Sequence, residues 1–344
     1  MKVKTRIDPD HLPGRHYILG SCKFSRAMKW LQDLYQIFAV VSLIDAHIWL
    51  SCDHLACYTS GVPASCECCP REGVINITGL QYDLDTELFG QHLAKKVIIK
   101  VMQNEERLKP LVLSFHGLTG SGKTYVSQIL AKHFNPRGTK SNFVHNIVAP
   151  VAFPHESQVE TYKDQLHAWI QGNVSRCDRS IFIFDDADKM HPELLHSLMP
   201  YLDYHDNIGG VSYRRSVFIF VSNTGADVIS DLTLEYRRQG KKREEIKLCD
   251  IENELSSHLL KSMKSEFYDC DLIKRKVIDI IVPFLPLELE HVEMCVRAEL
   301  KRRGRTVDEE VVSRIAKGVR YYPKGENIFS DNGCKNVHVR VTIE

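Results

Sequence analysis

The chain has 344 residues, of which 43% are hydrophobic and 26% charged, with a net charge of +1. That composition describes a globular protein with room for a sizeable core, as one large domain plus a small one or as two modest ones. A charge so close to zero provides no global field toward nucleic acid or acidic membranes, which argues against a DNA motor.

Residues 1–27 lack clear periodicity and read as disordered. At Met28 the character changes, and residues 37–44 form an apolar run long enough for a signal h-region but too short to span a bilayer. With Ala46 as cleavage point, this predicts translation from Met28 and assigns residues 1–46 to an extension plus signal peptide. Two alternatives stay open. One is a buried amphipathic helix; the other is an uncleaved anchor lengthened by Ile48-Trp49-Leu50. Residues 47–84 form a Cys-rich segment, since five of the eleven cysteines crowd into Cys52, Cys57, Cys66, Cys68 and Cys69. In an oxidising lumen such a cluster forms disulfides, and in cytosol it suggests zinc, although no His follows at finger-like spacing. Asn76-Ile77-Thr78 and Asn173-Val174-Ser175 are N-glycosylation sequons. Residues 85–102 read as one helix.

A short apolar run, Leu111-Val112-Leu113-Ser114-Phe115, then leads into Gly117-Leu118-Thr119-Gly120-Ser121-Gly122-Lys123-Thr124, and residues 125–134 carry a helical pattern. Strand, G-x-x-x-x-G-K-T and helix, in that order, are the context of a P-loop. Loop amides and the positive end of the helix face polyphosphate, glycines allow close approach, Lys123 reaches the β/γ-phosphates and Thr124 ligates Mg²⁺.

Further strands are predicted near residues 143–148, 180–184 and 216–221, with a helix over 161–171. The second of these strands ends in Asp185-Asp186-Ala187-Asp188-Lys189, where α/β sheets place ligands. Asp185 is read as holding the magnesium hydration shell and Asp186 as polarising the attacking water. The alternative is a strand that ends in a helix capped by Asp186 or Asp188. The third ends in Ser222-Asn223-Thr224-Gly225, where Asn223 is placed to orient water or touch the γ-phosphate. The basic run from Arg237 to Arg243, followed at once by Glu244-Glu245, reads as a solvated face.

Five motifs together resemble torsins: Gly117-Leu-Thr-Gly-Ser-Gly-Lys-Thr124, Ile183-Phe-Asp-Asp-Ala-Asp-Lys-Met-His191, Phe220-Val-Ser-Asn-Thr-Gly225, Val282-Pro-Phe-Leu-Pro-Leu-Glu288 and Phe329-Ser-Asp-Asn-Gly-Cys-Lys335. Cys68-Cys69-Pro70-Arg71-Glu72 and Leu88-Phe-Gly-Gln-His-Leu-Ala94 extend the likeness from about residue 66 to residue 335. Torsins are AAA+ ATPases of the endoplasmic-reticulum and nuclear-envelope lumen, related to Clp-type unfoldases. The resemblance implies an α/β fold: a P-loop αβα large domain with a parallel sheet over residues 85–283, then a small C-terminal helical domain over 284–344. It makes Asn223 sensor 1 and Lys335 sensor 2, and implies ATP and Mg²⁺ as cofactors. It also implies a disulfide between Cys295 and Cys334, which would tie the sensor to lumenal redox state; a buried free thiol at Cys295 is the other reading. Asn173 matches a glycan-bearing position of the family. Torsins lack an arginine finger and take one from lumenal domains of lamina-associated-polypeptide-type membrane proteins. The resemblance thus implies a weak ATPase that remodels protein clients, as a homo-oligomer or with peripheral membrane association, and without nucleic acid. Arg237 and Arg238 are read as surface charges rather than that finger.

The sequence departs from the family at two positions: Thr124, where torsins commonly have Asn, and Asp186, where they usually have Glu. Asp withdraws the carboxylate by roughly 1.5 Å, and about 1 Å of misplacement costs on the order of 100-fold in rate. An ATP-switched binding scaffold with vestigial hydrolysis is therefore the rival reading. A small-molecule P-loop kinase fits less well, since it leaves Gly333-Cys334-Lys335 unexplained.

Overall fold

Runs of β-branched and aromatic residues with no polar alternation need cover on both faces, and this is what they receive. A computed structural model describes residues 67–69, 75–104, 106–135, 137–261 and 271–344 of the chain. The signal-peptide reading and Cys52, Cys57 and Cys66 lie outside those residues. From Cys69 onward the chain forms one unit, whose centre is a five-stranded sheet. Its strands are β1 (Leu111–Gly117), β2 (Val144–Val148), β3 (Ile181–Asp185), β4 (Val217–Ser222) and β5 (Ile280–Phe284), in the order β2-β3-β4-β1-β5, every pair parallel. Every residue of β1 and β4 is buried, whereas the edge strand β2 alternates.

The twofold alternation of side chains divides the interior into two layers. Ile181, Ile183, Val217, Ile219, Leu113 and Phe115 face α1 (Ile77–Glu87), α2 (His92–Met102) and α3 (Lys123–Phe134). Phe182, Phe184, Phe218 and Phe220 face α4 (Val159–Arg176), α5 (Pro192–Ser197), α6 (Ala226–Arg238) and α7 (Leu248–Lys261). On that side Phe182 stacks on Phe218 at 4.9 Å between centroids, and Phe184 on Phe220 at 5.2 Å. The result is an αβα sandwich. A third apolar cluster, built on Val292, Val296, Leu300, Val312, Ile315 and Val341, joins α8 (Leu289–Arg302), α9 (Glu309–Lys317) and α10 (Val337–Ile343). Among the described residues no helix is long and apolar enough to cross a membrane.

One helix expected over residues 85–102 is two. Leu88 is extended, Gly90 has φ +68°, and the buried Gln91 side chain occupies the break. Gln91 Nε2 donates to the Ser121 carbonyl at 3.0 Å and the Leu285 carbonyl at 2.8 Å, while its Oε1 accepts the Leu285 N–H at 2.8 Å. Tertiary hydrogen bonds to the P-loop and to the end of β5 therefore outweigh local helix propensity. Among the described residues two disulfides tie the unit. Cys69 bonds Cys177, a residue far outside the N-terminal cluster, and Cys295 bonds Cys334, so Cys295 is not a free thiol.

Candidate functional site

The three central strands β3, β4 and β1 end at one edge of the sheet and deliver Asp185, Asn223 and the loop after Gly117 to it. α3 begins at Lys123 directly after that loop, so its first amides, which lack intrahelical acceptors, lie at the same edge.

Lys123 is buried, and its Nζ donates to the Gly117 carbonyl at 2.7 Å, the Leu118 carbonyl at 2.9 Å and Asn223 Oδ1 at 3.0 Å. Burial lowers its pKa to about 8, against the opposing pull of Asp188, Asp185 and Asp186. Beside it, the Thr124 hydroxyl donates to Asp185 Oδ1 at 3.2 Å, and the same oxygen accepts the Asp186 N–H at 3.1 Å. Burial pushes the Asp185 carboxyl up. A hydroxyl and a carboxylate suited to a hard cation are thus already adjacent.

Asp186 is half-buried with left-handed backbone, φ 55° and ψ 43°, a conformation that Asp tolerates better than most side chains. It precedes a short 3₁₀ turn, Ala187–Lys189, yet its side chain makes no capping bond. Asp188 does not cap that turn either. Its Oδ1 accepts the Asn223 N–H at 3.3 Å, while its other oxygen pairs with Lys189 at 2.9 Å. Asp188 therefore braces the Asn223 turn from the 3₁₀ turn that follows β3.

The segment carrying Gly333, Cys334 and Lys335 packs directly on the phosphate loop. The Cys334 N–H donates to the Gly120 carbonyl at 3.0 Å. A Cβ on Gly120 (φ +76°) would overlap the Asn332 carbonyl oxygen, and one on Gly333 (φ +50°) would overlap the Gly120 carbonyl oxygen. Two backbones can approach this closely only with glycine on both. Lys335 is exposed, yet close enough to Lys123 to depress its pKa further. Its neighbour Cys334 is the one bonded to Cys295 on α8.

Two contributors carried no role from sequence and a third carried the wrong one. Gln91 bridges the phosphate loop to β5, as described above. His116, fully buried at the end of β1, bonds the Thr224 carbonyl. Arg243 corrects the reading of its basic run as a solvated face. Its guanidinium is buried and donates to the Gly90 carbonyl at 2.7 Å, the Pro286 carbonyl at 3.0 Å and Glu288 Oε1 at 3.0 Å. Those partners lie about fifty and a hundred and fifty residues away in sequence, so no local pattern marks them. Arg237 and Arg238 are exposed, as expected, and pair with Glu288 and Glu326. Of the sequons, exposed Asn76 caps α1 by accepting the Gly79 N–H at 2.9 Å. Asn173 lies near the end of α4 with its Nδ2 on the Trp169 carbonyl at 2.8 Å.

Comparison with known proteins agrees with this arrangement. The family model "Torsin" matches residues 64–184, and the model "Torsin-1A, C-terminal domain" matches residues 287–342. A Torsin-like protein of Caenorhabditis elegans is 41% identical over 304 residues, covering 86% of this chain and 83% of the relative. Among solved structures, the S. cerevisiae Hsp104–ADP complex superposes with a TM-score of 0.55 at 19% identity, covering 78% of this chain and 46% of that one. A closed state of Hsp104 with ATPγS and casein superposes with a TM-score of 0.54 and the same coverage. The chain spans about half the length of those Hsp104 chains, and at such identity the likeness shows the fold alone, an α/β AAA+ fold. With the relative's extent and both family models in agreement, the chain belongs to the torsin family of AAA+ ATPases.

Proposed function

We propose that this ATPase works in the lumen of the endoplasmic reticulum and nuclear envelope, where it binds ATP with Mg²⁺ and couples slow hydrolysis to remodelling of protein or membrane-protein partners. The observation that carries this reading is the seating of Gly333-Cys334-Lys335 on the phosphate loop, which puts the sensor cation, the P-loop cation and a disulfide within one packed unit. The residues fit a polyphosphate–Mg²⁺ ligand: the first amides of α3 at the end of the loop, an ammonium buried among three oxygens, and a hydroxyl beside a carboxylate. The ion would supply neutralisation of charge on the phosphate oxygens.

The protein residues then divide the work. Lys123 would exchange its loop carbonyls for phosphate oxygens, Thr124 and Asp185 would hold the ion, and Asp186 and Asn223 would orient the attacking water. Lys335 approaches from the C-terminal helices. Arg237 and Arg238 are engaged with Glu288 and Glu326 of the same chain, which supports an arginine finger delivered from outside. Such a finger is worth roughly 10³ to 10⁵ in rate. The partner proposed is the lumenal domain of a lamina-associated-polypeptide-type membrane protein. The disulfides Cys69–Cys177 and Cys295–Cys334 support an oxidising compartment, with Asn173 and Asn76 as glycan acceptors.

Single-turnover ATP hydrolysis with and without that lumenal domain tests the proposal. Expected are ATP binding by the isolated chain, little hydrolysis, and strong stimulation by the partner. Robust partner-free turnover, abolished by Arg237→Ala, would overturn it. The short Asp186 carboxylate favours the rival scaffold reading, which predicts ATP binding but no hydrolysis even with the partner present.

A further inference from the structure

His116 immediately precedes the phosphate loop and pairs in register with Ser222, the residue before Asn223. It is fully buried. Its Nδ1 lies 2.9 Å from the Thr224 carbonyl oxygen, and its Nε2 lies 2.7 Å from Ser114 Oγ. A carbonyl only accepts, so Nδ1 carries the ring hydrogen and Nε2 accepts the Ser114 hydroxyl hydrogen. Burial lowers the His116 pKa to about 4, so the ring is neutral near pH 7 and this tautomer persists. With both ring nitrogens engaged by Thr224 and Ser114, His116 acts through its neighbours.

Three bonds tie the Asn223–Thr224 turn to neighbouring elements. The Asn223 N–H is on Asp188, the Asn223 side chain is on Lys123, and the Thr224 carbonyl is on His116. When Lys123 turns to bound phosphate, the second tie is released. Asp188 and His116 then remain as ties from the neighbouring elements, beside the local bonds from the Thr224 N–H to Ser222 Oγ at 3.0 Å and from the Ala226 N–H to the Asn223 carbonyl at 3.2 Å.

We propose that His116 is a positioning residue for hydrolysis, a strut that fixes the Asn223 turn to the end of β1 so that the Asn223 amide stays aligned after Lys123 leaves it. This rests on the ATPase reading of the site. It distinguishes His116 from a residue that merely fills space beneath the loop: the strut governs the rate, while the loop amides and Lys123 govern nucleotide affinity.

Two substitutions separate the two hydrogen bonds while keeping a polar side chain in the buried slot. In His116→Asn the amide nitrogen takes the place of Nδ1 and retains the Thr224 bond. In His116→Gln the longer amide takes the place of Nε2, retains the Ser114 contact and gives up the bond to the Thr224 carbonyl. The full chain is assayed for ATP affinity by equilibrium titration and for single-turnover hydrolysis with the activating partner, with wild type alongside. The expected result is that His116→Gln loses about tenfold or more in rate with ATP affinity within about threefold, a split that marks a group acting only on the reacting geometry. His116→Asn stays within about threefold of wild type in both. Equal rates for the two variants, or a Gln variant that loses affinity and rate together, would overturn the proposal. A wild-type chain that neither bound nor hydrolysed ATP would instead remove the ATPase reading, and the strut with it.

Discussion

Lys123 sits in a buried slot lined with oxygen atoms, and its ammonium titrates at about 8 instead of the ordinary 10.5. A bound polyanion stabilises the charged form, so above pH 8 binding must take up a proton. Affinity for ATP is therefore expected to be flat below pH 7.5 and to fall as pH rises through 8, by up to about tenfold per pH unit. Lys123→Arg keeps its charge throughout that range, and titrations at pH 7, 8 and 9 should show its slope abolished whatever its absolute affinity. A wild-type affinity independent of pH from 7 to 9 would contradict an ammonium that titrates near 8 and binds the phosphates. At Asp186 the left-handed backbone supplies a reason for the short side chain, because Glu is less at ease there. Asp186→Asn keeps that geometry and removes the negative charge. It should retain ATP binding while single-turnover hydrolysis falls by about 100-fold. These residue identities were legible in sequence because a P-loop and an acidic strand end are local patterns. The left-handed φ at Asp186 was not, since nothing nearby in the chain dictates it.

The elements show where local reading succeeds and where it stops. β1, β3 and β4 were identifiable as uninterrupted apolar runs, and their parallel pairing follows from burial on both faces. The break between α1 and α2 was not, because the bonds that stabilise it run from Gln91 to Ser121 and Leu285. Arg243 follows the same logic. It is the one residue of a polar-looking run that turns inward, where it joins the Gly90 turn to the segment entering α8. Removing its side chain leaves Glu288 with one cation fewer and two carbonyls short of a donor. Arg243→Ala is expected to destabilise the fold by about 3 kcal/mol in denaturant unfolding, against less than about 1 kcal/mol for exposed Arg238→Ala. Similar losses for both would mean that Arg243 is not a structural tie. α10 is a further lesson. Its sequence, Val337-His-Val-Arg-Val-Thr-Ile343, alternates like a strand, yet it forms a helix that buries Val337 and Val341 in the cluster shared with α8 and α9.

For the whole molecule, acid stability follows from neutral buried imidazoles. Burial lowers the pKa values of His116 and His145 to about 4. Unfolded chains bind those protons near pH 6.5, whereas the folded protein resists them until about pH 4. Stability should therefore be full above pH 6.5 and fall as pH drops toward 4, by on the order of 3 kcal/mol for each of the two groups. Urea midpoints at pH 7, 5.5 and 4.5 read this directly, and an unchanged midpoint would contradict it. A second property of the whole molecule is the join between the phosphate loop and the C-terminal helices, where the Cys334 N–H meets Gly120 while its sulfur is tied to α8. The resemblance pointed to that disulfide; the backbone contact beneath it needed coordinates, because it pairs residues more than two hundred positions apart. The account rests most heavily on phosphate being held by this loop and Lys123. The measurement that tests it is equilibrium titration of the full chain with ATP and Mg²⁺, side by side with Lys123→Ala at equal fold stability. The account predicts saturable binding by the wild type and a loss of at least about tenfold in the variant; equal affinity for both, or no binding by the wild type, would contradict it.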